Sequence, residues 1–224
     1  AFNNVVTLAE ECNELTAHII TSSLKCLNKM VPSLVVETAK RLSKDLLLLF
    51  YKHNNDPMIS NGVLDIIVQI FDDKDARALF LPVFIPNMSS AICDLVSYRY
   101  TSSNILTFAE EEGKLSFLNS LLEIHILALR KSYNDDAKII DLLFTPFDTL
   151  TQIILLSQNP MPVVKSTVCI KSYLLYYYPQ VEERKLGPQI YSILERLLNP
   201  KELEVLSCYV GNILMIMFEK VTSL

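Results

Sequence analysis

The sequence predicts an all-α chain folded as an α-α superhelix, a HEAT- or armadillo-like solenoid of about five helical hairpins. Three observations carry this expectation. Apolar residues recur at intervals of three and four along almost the whole chain, the spacing that lines one face of an α-helix. Only 4 of the 224 residues are glycine, too few for a hairpin-rich sandwich or barrel or for phosphate-cradling loops. The breaks between apolar stripes put a capping side chain before a proline, at Asn55-Asp56-Pro57, Asn159-Pro160 and Asn199-Pro200. Asn or Asp there accepts from free backbone amides, and Pro fits the first helical position because it has no amide to leave unpaired. Pro160 and Pro200 lie 40 residues apart, a period typical of two-helix repeats. A single hairpin cannot bury both faces, so its neighbours must cover them.

In chain order, Phe2, Val5, Ala9 and Cys12 mark a helix over 1–12, and Ile20, Leu24, Leu27 and Val31 one over 14–30. Val35, Ala39, Leu42, Leu46 and Leu49 mark 33–53, and Ile59, Val63, Ile66 and Ile70 mark 57–71. Further helices are expected over 76–96 and 114–132. Leu143, Phe147, Leu150 and Ile154 mark 138–157, followed by 161–178. Leu186, Ile190, Ile193 and Leu197 mark 184–198, and Leu203, Leu206, Val210, Ile213 and Met217 mark 201–221. The pairs 1–30, 33–71, 76–132, 138–178 and 184–221 form one solenoid, with no shift in charge or hydrophobicity to suggest a domain boundary. Pro82 and Pro86 should kink or break the fifth helix, and Pro146 the seventh. The stretch 97–113 reads as the longest joint, with Glu110-Glu111-Glu112 in it.

Half the residues are hydrophobic (50%) and 20% are charged, which excludes a disordered chain. The net charge of -5 and pI near 5.3 disfavour nucleic-acid binding and suit basic partners. Cys12, Cys26, Cys93, Cys169 and Cys208 are odd in number and contain no C-x-x-C, the pattern of free thiols in a reducing compartment. Ala1-Phe2-Asn3-Asn4 lacks the basic start of a secretion signal. The densest apolar runs, 46–51 and 213–218, fall well short of the ~20 residues that span a bilayer. The expectation is an intracellular, soluble protein without a membrane partner.

Catalytic patterns are missing: there is no G-x-S-x-G, phosphate-binding lysine loop, G-x-G-x-x-G or H-E-x-x-H. No enzyme activity, cofactor or metal is expected. His18, His53 and His125 fall in three different hairpins, and His125, inside an apolar run, reads as a hydrogen-bonded core residue. Cys169 follows Lys165 by four residues, but Val168 and Ile170 place it in the core. Asn87-Met88-Ser89 reads as a chance glycosylation match. Tyr173, Tyr176, Tyr177 and Tyr178 point in different directions on a helix, so they divide between core and surface. The candidate partner-binding residues are acidic: Glu110, Glu111 and Glu112, and Asp72, Asp73 and Asp75 in an inter-pair turn, with Glu182-Glu183 in another. Such clusters attract basic segments over long range, and they equally serve helix N-termini and solubility.

Phe50-Tyr51-Lys52-His53-Asn54-Asn55-Asp56-Pro57 resembles a Lys-Tyr-Ser-Asn-Asp-Pro turn of the karyopherin-β nuclear transport receptors. Leu81-Pro82 with Val83-Phe84-Ile85 resembles that family's next helix, and Leu197-Leu198-Asn199-Pro200 through Tyr209-Val210-Gly211 its Leu-Leu-Asp-Pro turn and Phe-Val-Gly helix. The order and spacing of these segments, from about Leu24 to Lys220, give the resemblance its weight. Val163-Val164-Lys165 is similar to the HEAT consensus, in which the basic residue joins a ladder with acids of adjacent repeats. Gly62 and Val205 stand at the equivalent distance from their prolines, so a continuous ladder is not expected. The resemblance implies a middle segment of an import receptor in cytoplasm and nucleus. It implies basic protein cargo such as histones and ribosomal proteins, Ran-GTP-controlled release through the whole receptor, and nucleoporin contacts. The runner-up is a HEAT-type scaffold subunit with no transport role.

Overall fold

The computed structural model describes residues 14–31, 35–54, 56–101, 108–198, 211–216 and 219. Among the described residues there is no strand. The helices are α1 (Glu14–Met30), α2 (Val36–Lys52), α3 (Pro57–Asp72), α4 (Lys74–Thr101) and α5 (Phe108–Lys131). They continue as α6 (Ala137–Leu143), α7 (Phe147–Leu156), α8 (Pro160–Tyr176), α9 (Tyr178–Glu183) and α10 (Gly187–Leu197). Residues 211–216 are also helical. The helix expected over 1–12, the Asn199-Pro200 joint and most of 201–221 lie outside the described residues.

Two of the proline joints form as their chemistry dictates. The Asp56 carboxylate accepts from the amides of Met58 (2.9 Å) and Ile59, with Pro57 opening α3. The Asn159 side chain accepts from Met161 at 3.2 Å, with Pro160 opening α8. Asp73 and Asp136 do the same for α4 and α6, accepting from Ala76 (2.9 Å) and Lys138 (2.8 Å). Each such cap contributes about 1 kcal/mol.

The prolines inside helices behave differently from one another. Pro146 breaks its helix as expected, in the turn 144–146 that separates α6 from α7. Pro82 and Pro86 do not break theirs: α4 runs through both for 28 residues. Their four-residue spacing puts both rings on the exposed side, where water can satisfy the carbonyls that lose their donors. Phe80, Leu81, Phe84, Ile85 and Met88 anchor the opposite side in the core. The expected long joint is also shorter. α4 extends to Thr101 and α5 begins at Phe108, so Glu110, Glu111 and Glu112 stand in the first turns of a helix rather than in a loop. Ala and Glu are strong helix formers, and carboxylates are favoured near a helix N-terminus. Glu182 and Glu183 likewise end the short helix α9 instead of lying in a turn.

The helices pack in two rows. α1, α3, α5 and α8 pack one on the next, and α2, α4, the broken pair α6–α7 and α10 form the second row. Cross-row contacts join α2 to α3, α3 to α4, α4 to α5, α5 to α6 and α7 to α8. Leu46, Leu49, Phe71, Phe80, Phe84, Leu121, Leu150 and Tyr173, all fully buried, fill the space between rows. Each such side chain contributes about 1.5–3 kcal/mol through burial. Ring contacts join different helices: Phe50 of α2 meets Phe117 of α5 edge-on, Phe71 of α3 meets Phe84 of α4 edge-on, and Phe144 and Phe147 lie against Tyr173 of α8.

Two stretches, Lys74–Ser97 in α4 and Ala137–Leu156 across α6 and α7, are long and apolar enough by length and composition to cross a membrane, which the apolar runs in the sequence do not suggest. Both bury much of that apolar surface against neighbouring helices, and the second is interrupted at Pro146.

Candidate interaction surfaces

The six acidic candidates do not converge. Asp72 ends α3 and pairs with Lys131 at the end of α5. Asp73 caps α4, and Asp75 is exposed on its first turn. Glu111 and Glu112 are exposed at the start of α5, while the side chain of Glu110 lies outside the described part. α4, about 40 Å long at 1.5 Å per residue, separates the two clusters in the chain. Asp72 and Asp73 therefore already have structural partners, and Asp72, Asp75, Glu111 and Glu112 are exposed.

One junction was not legible in the sequence. Arg77 of α4 reaches Asp135, 58 residues away, through Nε (2.7 Å to Oδ2) and Nη2 (2.8 Å to Oδ1), and Nη1 donates to the Phe71 carbonyl. The side chains are 10% and 6% exposed. This fork ties the end of α3 and the start of α4 to the α5–α6 turn. The hydrogen bond to Asp135 raises the Arg77 pKa. Burial pushes the Asp135 carboxyl up, but the bond and charge of Arg77 outweigh it and leave the pKa lowered.

His125 is a hydrogen-bonded core residue, as the apolar run around it predicts. Its Nε2 lies 2.7 Å from the Tyr173 hydroxyl oxygen, and that hydroxyl donates to the Leu143 carbonyl. A carbonyl can only accept, so the tyrosine proton points there and Nε2–H donates to the tyrosine oxygen. Nδ1 carries the bare lone pair, buried without a partner. Burial lowers the His125 pKa to about 3, so the ring is neutral at physiological pH. Cys169 is also fully buried; burial pushes its thiol pKa up, which disfavours the thiolate a nucleophile needs. Of the tyrosines, Tyr173 and Tyr177 are core and Tyr176 is exposed. Among the described residues no three His, Cys, Asp or Glu side chains gather as a metal site would require.

At the HEAT-like position, Lys165 of α8 reaches Glu123 of α5 (2.6 Å) and the Asn119 carbonyl (3.2 Å), a tie between adjacent members of one row. At the equivalent position of α3, Gly62 instead lets α1 approach. A Cβ there would lie 3.0 Å from Leu24 Cδ1. Polar tie and close apolar contact thus replace one another along the same row.

No family model matches the chain, and neither does any curated protein or solved structure.

Proposed function

We propose that the chain is an open α-solenoid segment of the HEAT type, and that it belongs to a karyopherin-β nuclear import receptor that binds basic protein cargo. The carrying observation is the packing: counting α6–α7 as one broken helix and α9 as part of a connection, helices pack on the next or the next but one. Stacked two-helix repeats bury their apolar faces in that way and present long rows of surface to a partner. The Lys165–Glu123 tie, five residues after the Pro160 that opens α8, supports the HEAT assignment. The motif resemblance, nearest to importin nine within the family, supports the transport reading. On it the protein works in cytoplasm and nucleus, contacts nucleoporins, and releases histone or ribosomal cargo on Ran-GTP through the whole receptor. Glu111, Glu112 and Asp75 would attract the cargo by long-range steering.

A scaffold subunit of another intracellular complex is the second reading. The separation of the two acidic clusters, and the partners Asp72 and Asp73 already have, favour it. The deciding experiment binds the protein containing this chain to immobilised core histones and adds Ran loaded with GTP. Release supports import; histone retention, or no histone binding, supports the scaffold. In the same assay, changing Glu110, Glu111 and Glu112 together to Ala is expected to weaken binding about three- to tenfold at low salt, and less at high salt. Unchanged affinity at low salt would remove the start of α5 from the cargo surface.

A further inference from the structure

Between the last turn of α5 and the exposed side of α8 lies a groove of about 280 Å³ lined by Arg130, Val168, Lys171, Ser172, Leu175 and Tyr176. Among the described residues no carboxylate lines it. Nearby cations are neutralised, Lys131 by Asp72 and Lys165 by Glu123, whereas Arg130 and Lys171 have no ion-pair partner among the described residues. The dipole of α5 accounts for a cation in its last turn, but Lys171 lies more than a turn inside the end of α8 and has no such reason. Beside these charges the groove exposes apolar surface: Leu175 is 43% and Tyr176 36% exposed. The Tyr176 ring packs 5.8 Å from that of Tyr133, itself 50% exposed.

We propose that this groove docks an acidic segment of a partner protein that also carries an apolar anchor. Carboxylates of the segment meet the Arg130 guanidinium and the Lys171 ammonium, and a Leu or Phe side chain lies against Val168, Leu175 and Tyr176. Charge complementarity selects the occupant: two unneutralised cations beside an apolar wall match carboxylates spaced by apolar residues. A nucleic acid is the poorer fit, because two cations cover few phosphates and the chain carries a net charge of -5. The surface is distinct from the acidic candidates for basic cargo, and its test involves neither cargo nor Ran.

The test is fluorescence anisotropy of the 224-residue chain with a labelled peptide of repeated Glu-Leu-Asp-Phe units. Saturable binding is expected, weakening as salt rises. The double variant Arg130→Glu with Lys171→Glu should lose at least about tenfold in affinity, and Leu175→Ser about threefold. Both leave the buried core untouched, so thermal melts should match the parent; Arg130→Gln with Lys171→Gln provides a milder neutral pair with the same direction of effect. Failure of the parent chain to bind, or affinity unchanged in the charge variants, would overturn the proposal. So would a poly-uridine RNA that binds more tightly than the peptide and loses affinity in the same variants.

Discussion

Arg77→Ala is expected to destabilise the protein by about 3–5 kcal/mol, the largest effect of any single polar substitution among the described residues. The change removes a two-pronged pair whose side chains are almost fully buried, and it leaves the Asp135 carboxylate without its cation. It also leaves the Phe71 carbonyl without the Nη1 donor. Asp135→Ala should cost a similar amount because it strands the guanidinium instead. Replacing both at once, Arg77→Met with Asp135→Leu, should cost less than the sum of the singles, since no charge is then left buried alone. Urea midpoints of the four proteins give the comparison. Exposed pairs contribute about 0–1 kcal/mol, so a single-variant loss of that size would show the junction to be ornamental. Lys131–Asp72, with side chains 41% and 51% exposed, serves as the internal reference.

The second large effect is acid sensitivity centred on His125. Its folded pKa of about 3 lies below the ordinary value of 6.5. Between those values the unfolded chain binds a proton that the folded chain refuses, so stability rises with pH. The contribution is complete above about pH 6.5 and is lost on acidification at up to about 1.4 kcal/mol per pH unit. His125→Gln keeps a donor for the Tyr173 oxygen but does not titrate. Between pH 7 and pH 5 it should lose about 2 kcal/mol less stability than the parent, since only the span below pH 6.5 counts. Parallel acid limbs for the two proteins would contradict the assignment of a neutral, buried imidazole. Asp135, whose pKa is lowered in the fold, adds a second loss only as the pH falls below the usual carboxylate range near 3.8.

The secondary structure was legible because its signals are local. Asp56-Pro57 and Asn159-Pro160 carry their caps within two residues, and the three-and-four spacing of Ile59, Val63, Ile66 and Ile70 describes one buried face of α3. Pro82 and Pro86 leave α4 unbroken because the damage a proline does depends on which face carries it, and their exposed face is set by how α4 packs. The length of the α4–α5 joint misled: a run of charges resembles a loop, yet glutamates suit the first turns of a helix. The candidate surfaces were less legible still. Arg77 and Asp135 are 58 residues apart, His125 and Tyr173 are 48 apart, and the groove joins Arg130 to residues of another helix. No local pattern marks such pairs, because only the stacking of helices brings them together.

Small-angle X-ray scattering of the monomeric chain tests that stacking most directly. A compact globule of 224 residues has a radius of gyration of about 17 Å. The two-row arrangement predicts a value several Å larger and a distance distribution skewed toward long separations. A radius near 17 Å with a symmetric distribution would mean that the helices close into a bundle, and the solenoid would be contradicted together with the transport reading built on it.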